Sequence, residues 1–248
     1  MERVTHEHIS RDFETELREL RAQLLAMGAR CERIVALGFE AYVKGTPESL
    51  AEAVALDAQI DRDEIDIHGL IFRILALRQP VAGDLRFLAA ALRLITDLER
   101  VGDEAVNIAE RAAAVDDGGA LDVVVDELRT MAYRTSDMLH LALDAFVRGD
   151  DAQASEVPGR DDEVDRQCVV VITRMTRWLS EHASSAGDGL RAIRVAKYLE
   201  RIGDHATNVA EHAIFMVRGE DLRRGRPSEA ELPEDPAGPA DDVVASPH

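Results

Sequence analysis

The chain is written twice. "EAYVKG" at 40–45 returns as "DAFVRG" at 144–149, "DAQIDR" at 57–62 as "DDEVDR" at 161–166, and "AGD" at 82–84 as "AGD" at 186–188, each 104 residues later. "LERVGDEAVNIAE" at 98–110 then returns as "LERIGDHATNVAE" at 199–211, an offset of 101, so the second copy has lost three residues after Asp188. A period near one hundred residues is too long for a solenoid unit and is the size of a small domain. Whatever one copy folds into, the other must fold into as well.

The prolines show what one copy is. Pro47, Pro80 and Pro158 fall near breaks between long segments with 3.6-residue apolar periodicity, where proline belongs. The pattern predicts six helices, over 8–44, 47–79, 83–115, 120–149, 159–182 and 188–218. Thr46 is placed as an N-cap with Pro47 at the first helical position. Gly45 and Gly149 stand where C-terminal glycines belong, and "DDGG" at 116–119 reads as a stop. No segment alternates strictly as a strand would. The fold expected is all-α: two tandem, homologous three-helix bundles, 1–116 and 117–220. The remaining segment, 221–248, is acidic and Pro-rich; from Pro227 onward it holds six acids and no Lys or Arg, the composition of a disordered tail.

A formal net charge of −19 argues against a nucleic-acid or anionic-lipid binder, since both need a basic face. The most apolar run, "FLAAALRLITDL", is broken by Arg93 and too short to cross a bilayer, and the charged start shows no signal peptide. Cys31 and Cys168 lack any metal or redox spacing and read as reduced, buried thiols. Met27, Met131 and Met175 fall on apolar stripes and read as core. No Gly-rich phosphate loop and no Ser/His/Asp or Cys/His arrangement emerges.

What stands out is acid on acid. An acid followed four residues later by Asp occurs six times. Glu231/Asp235 lies in the Pro-rich tail, and Asp122/Asp126 opens a helix, where acids suit the dipole. The other four pairs, Asp57/Asp61, Glu99/Asp103, Asp161/Asp165 and Glu200/Asp204, occupy equivalent places in the two copies. Residues i and i+4 are neighbours on a helix, and like charges there repel. Folding each hairpin about its turn sets Asp57 level with Asp103 and Asp61 level with Glu99, and likewise Asp161 with Asp204 and Asp165 with Glu200. Four carboxylates then share one flank of each bundle. Two readings follow. The flanks are solvated, with Arg62, Arg100, Arg166 and Arg201 as ion-pair partners; or they hold hard cations, which suit all-oxygen ligand sets. Retention of both pairs in both copies favours the second.

Asn107 and Asn208 extend the stripe and could add a carbonyl oxygen. Gly102 and Gly203 read as points of close helix packing. His68, His140, His182 and His212 lack zinc-site spacing, and His205 faces Glu104 in the other copy, so the two repeats share no ligand there.

"RQPVAGDLR" at 78–86, "LERVGDEAVNIAER" at 98–111 and "KYLERIGDHATNVAEHAIFMVRGED" at 197–221 closely resemble the PhoU family, over roughly residues 9 to 221 and in both copies. Glu104 is a departure, since the family commonly has His after the Gly-Asp. The resemblance implies two symmetric three-helix bundles whose (Glu/Asp)xxxAsp pairs hold metal clusters: Asp57, Asp61, Glu99 and Asp103 in one copy, Asp161, Asp165, Glu200 and Asp204 in the other. The ions would be Mg, Mn, Fe or Zn. It also implies a cytoplasmic, non-enzymatic negative regulator of phosphate uptake and of the phosphate-starvation regulon. Such a protein links the ATPase subunit of the phosphate ABC transporter to the phosphate-sensing histidine kinase, is often a homodimer, and meets the membrane only through partner proteins. The alternative is a ferritin-like metal-dependent oxidase or metal-storage bundle. That class uses Glu-x-x-His motifs, and no Glu in this chain is followed three residues later by His.

Overall fold

The computed structural model of the chain describes residues 2–111 and 119–219. Six long helices carry it: α1 (Glu2–Lys44), α2 (Pro47–Arg78), α3 (Ala82–Glu110), α4 (Ala120–Arg148), α6 (Val157–Glu181) and α7 (Ala186–Arg218). A one-turn helix, α5 (Asp151–Ala154), and a 3₁₀ turn (Ala183–Ser185) complete it, and no strand occurs among the described residues. The fold is all-α, two repeats of three long helices, as the duplicated sequence requires. The boundary at 116/117 and the tail from 221 lie outside the described residues.

The repeat is written into the core as well as the motifs. Leu17, Leu20, Leu24, Met27, Cys31, Ile34, Gly38 and Ala41 recur at alternating steps of three and four along one side of α1, and all are buried. The same register in α4 gives Leu128, Met131, Thr135, Met138, Ala142 and Ala145, also buried. Such 3.5-residue stripes make helices pack side by side at shallow angles. α1, α2 and α3 pack together, as do α4, α6 and α7; α3 also packs on α7, and α1 on α4. The buried apolar side chains form one continuous cluster through both bundles. α2 and α6 are therefore the outer helices, and α1, α3, α4 and α7 form the middle of the molecule.

Helix ends follow local chemistry. Gly45 and Gly149 adopt φ of 64°, and their N–H groups close the last turns of α1 and α4. Thr46 does stand at the N-cap of α2, but its hydroxyl bonds Ser49 Oγ at 2.6 Å and not a backbone N–H. α6 starts two residues earlier than expected, with Pro158 inside its first turn. α5 was not expected; the Asp150 side chain accepts from Gln153 N at 3.0 Å and nucleates it. No helix among the described residues is long and apolar enough to cross a membrane.

Both thiols are buried and free. Cys31 donates to the Leu98 carbonyl, and burial pushes it well above the ordinary thiol range. Burial and the nearby Glu200 push Cys168 up to about 11. They act as core residues.

Candidate functional site

Each repeat places its acids along the seam of an outer helix and its neighbour: α2 with α3, and α6 with α7. The Gly-Asp step makes the approach possible. A Cβ on Gly102 would lie 2.8 Å from Asp57 Oδ1, and one on Gly203 would lie 2.8 Å from Asp161 Oδ1. The glycine before each aspartate is thus the seat of the facing carboxylate, and the packing role read from sequence has a specific content. Asp57, Glu99, Asp103, Asp161 and Glu200 are half-buried; Asp61, Asp165 and Asp204 are exposed.

The electrostatics place the four acids of the first flank together. Burial, then repulsion from Asp61 and Asp103, push the Asp57 carboxyl up to about 6. Burial, then Asp103, raise Glu99, with Glu64 and Asp61 adding to the effect. Asp57 Oδ1 is a buried acceptor without a hydrogen-bond partner, an expensive state for a carboxylate oxygen. Arg100 partly offsets the flank from outside, 3.4 Å from Glu99 and 3.2 Å from Asp103.

The second flank is neutralised differently. Lys197 Nζ lies 2.5 Å from Glu200 Oε1, where the first copy carries Thr96. Asp165 is raised by burial and by Glu200, with Lys197 and Arg166 opposing. Arg201, the counterpart of Arg100, turns away to reach Glu104 of α3 at 3.3 Å. Arg62 and Arg166 form no ion pair within 4 Å among the described residues. Of the arginines expected to dress the flanks, Arg100 pairs with its own flank, and Arg201 pairs across the seam instead. Among the described residues no three Asp, Glu, His or Cys side chains close on a common point as metal ligands would; the acids share a flank without chelate geometry. The chemistry of the first flank fits a hard cation nonetheless, because it combines crowded carboxylates with an orphaned buried oxygen.

The sequence did not disclose a second polar site, between the bundles. Asp97 of α3 accepts from three side chains of α7: His205 Nδ1 at 2.9 Å, Asn208 Nδ2 at 3.0 Å and His212 Nε2 at 2.7 Å. Asn208 therefore serves Asp97, not the carboxylate stripe. Burial alone would raise Asp97, but the hydrogen bonds outweigh it and hold its carboxyl at about 2. On the other side of the seam, Tyr198 occupies Asp97's place in the repeat. Its hydroxyl accepts from Arg111 at 3.3 Å, and the Arg111 and Arg201 guanidiniums each lie 6.0 Å from its ring centre. Asp97/Tyr198, Glu104/His205 and Arg111/His212 are positions where the copies differ, and they meet across the seam together with Arg201 and Asn208, which the copies share. A search for differences between the copies, not only for what they retain, points to them.

Known proteins share the duplicated sequence and the fold. The family model described as the PhoU domain matches twice, over residues 24–112 and 128–213. The phosphate-specific transport system accessory protein PhoU homolog of Pseudomonas putida is 37% identical over 222 residues, 90% of this chain and 86% of that protein. The crystal structure of PhoU from Pseudomonas aeruginosa superposes with a TM-score of 0.79 at 36% identity, covering 84% of this chain and 100% of that one. The phosphate transport system regulatory protein PhoU from Streptococcus pneumoniae shares the fold, with a TM-score of 0.77 at 24% identity over 85% of this chain and 99% of that one.

Proposed function

Because the chain belongs to the PhoU family, we propose that it is a cytoplasmic, non-enzymatic regulator of phosphate-specific transport, restraining phosphate uptake and the phosphate-starvation genes when phosphate is plentiful. The observation that carries this reading is the double PhoU match spanning both bundles, with relatives named as accessory proteins of phosphate-specific transport across nine-tenths of the chain. Its partners are the ATPase subunit of the phosphate ABC transporter and the phosphate-sensing histidine kinase, and it works as a homodimer. The outer helices suit such contacts: Ile65, Phe72 and Leu77 of α2 and Val169 of α6 are large apolar side chains left exposed. Affinity purification of the tagged chain from phosphate-replete cells should retrieve the transporter ATPase and the kinase; retrieval of neither sinks the partner assignment.

Divalent or trivalent cations, Mg, Mn, Fe or Zn, would be held by Asp57, Asp61, Glu99 and Asp103 on the first flank, and by Asp161, Asp165, Glu200 and Asp204 on the second. A bound ion would supply the positive charge that the acids lack and tie each outer helix to its neighbour. The first flank should bind more tightly, since Lys197 already supplies a cation to the second. In calorimetry with Mn²⁺, Asp57→Asn with Asp103→Asn should weaken binding at least tenfold, more than Asp165→Asn with Glu200→Gln. Equal effects contradict the ranking, and absence of binding to the unaltered protein contradicts the metal role.

A further inference from the structure

Where α4 and α7 end, a cavity of about 350 Å³ opens between the two bundles. Its sign is opposite to that of the molecule. Arg21 of α1, Arg86 of α3 and Arg148 of α4 line it, against the single carboxylate of Asp84, in a chain of net charge −19. Arg21 lies over the Phe87 ring, 4.9 Å from its centre. Arg86 donates from Nε to the Met216 carbonyl at 3.2 Å. Neither guanidinium has a carboxylate within 4 Å among the described residues; Arg148 has Asp144 at 2.5 Å. Phe146 completes the wall on the α4 side.

The chain itself leads to this place. α7 closes at Arg218, and Gly219, at φ 74°, turns away beside Arg86; a Cβ on it would meet Arg86 Cδ at 3.6 Å. The sequence then continues through residue 248, and from Pro227 it carries Glu229, Glu231, Glu234, Asp235, Asp241 and Asp242 without a Lys or Arg. Ten residues from Gly219 to Glu229 reach up to about 33 Å, so length does not restrict access. A short covalent tether gives an effective concentration in the millimolar range, enough for a weak electrostatic contact to be populated. We propose that the carboxylates of residues 229–242 dock in this arginine-lined cavity, making the segment an intramolecular acidic ligand that clasps α1 and α3 of one bundle to α4 of the other. The clasp would span both repeats, and any acidic peptide of a partner would have to displace it.

Hydrogen exchange of the full-length chain tests this against a variant carrying Glu229→Gln, Glu231→Gln, Glu234→Gln and Asp235→Asn. Amides of residues 82–88 and 146–149 should exchange several-fold faster in the variant, and the difference should shrink with added salt. A synthetic peptide of residues 227–248, added to the variant, should restore the slow exchange. It should fail to do so when Arg21→Ala and Arg86→Ala are also present. Identical exchange in the parent and the variant overturns the proposal. So does restoration by inorganic phosphate at matched ionic strength to the same extent as by the peptide, which would assign the cavity to small oxyanions. The outcome is independent of the phosphate-regulatory reading, which no result here touches.

Discussion

Two aspartates of α2 and α3 are pulled in opposite directions. Asp57 is crowded by like charges and burial, and its carboxyl rises to about 6. Asp97 is surrounded by donors and falls to about 2. A raised acid binds its proton more tightly in the folded than in the unfolded chain, so Asp57 subtracts stability as pH rises from about 4 to 6. Asp57→Asn should therefore stabilise the metal-free protein at pH 7 by about 1 kcal/mol, after discounting for its partial exposure. If the first flank holds Mn²⁺ as proposed, the same change should remove most of the stabilisation the ion gives. Thermal melts with and without the ion separate the two effects; a destabilised, metal-free Asp57→Asn would contradict the crowding argument. Asp97 has the reverse sign. Its contribution, about 2 kcal/mol, is present above its unfolded value near 4 and is lost as pH falls toward 2. Asp97→Asn should lower stability at pH 7 and flatten the acid limb of the stability profile between pH 4 and 2. An unchanged limb would show that the three hydrogen bonds do not hold the carboxylate.

At the scale of elements, helix spacing is set by glycine. A Cβ on Gly38 of α1 would lie 2.4 Å from the Ala105 carbonyl oxygen of α3, a backbone atom that can yield only by moving the helix. Gly38→Ala should cost about 2 kcal/mol through overpacking. Gly69, on the exposed side of α2, meets nothing within 4 Å, so Gly69→Ala should gain about 0.5–1 kcal/mol from helix propensity alone. Urea midpoints moving in opposite directions would confirm both; a tolerated Gly38→Ala would show that α1 and α3 are looser than described. The helices themselves were legible because proline, C-terminal glycine and apolar period are local signals. The facing of Asp57 with Asp103 and of Asp61 with Glu99 followed from counting residues about a turn. α5 was not legible, since one turn has no period to read. The Asp97 cluster was hidden for another reason. Asp97, His205 and His212 are unlike in the two copies, so the repeat does not mark them, and Asn208, which the copies share, lies in line with the carboxylate stripe. Nothing in one helix's sequence says which residue of another repeat will face it, so His205 and His212 could be dismissed as zinc ligands but not placed.

For the molecule as a whole, duplication did not produce two independent domains. One apolar cluster runs through both bundles, and the α3–α7 seam adds the Asp97 and Tyr198 clusters. Equilibrium unfolding in guanidinium should therefore be a single transition, with helicity and the fluorescence of Trp178 in the second repeat coincident. Two separated transitions would mean that the bundles are only loosely joined. The double bundle presents two long outer helices with exposed apolar side chains, and the chain belongs to a family whose named members are accessory proteins of phosphate-specific transport. The most direct test is a strain lacking this chain, grown in phosphate-replete medium, with transcripts of phosphate-starvation genes measured. The account predicts that these genes stay on despite abundant phosphate and that the intact gene restores repression. Normal repression in the deletion strain would contradict it.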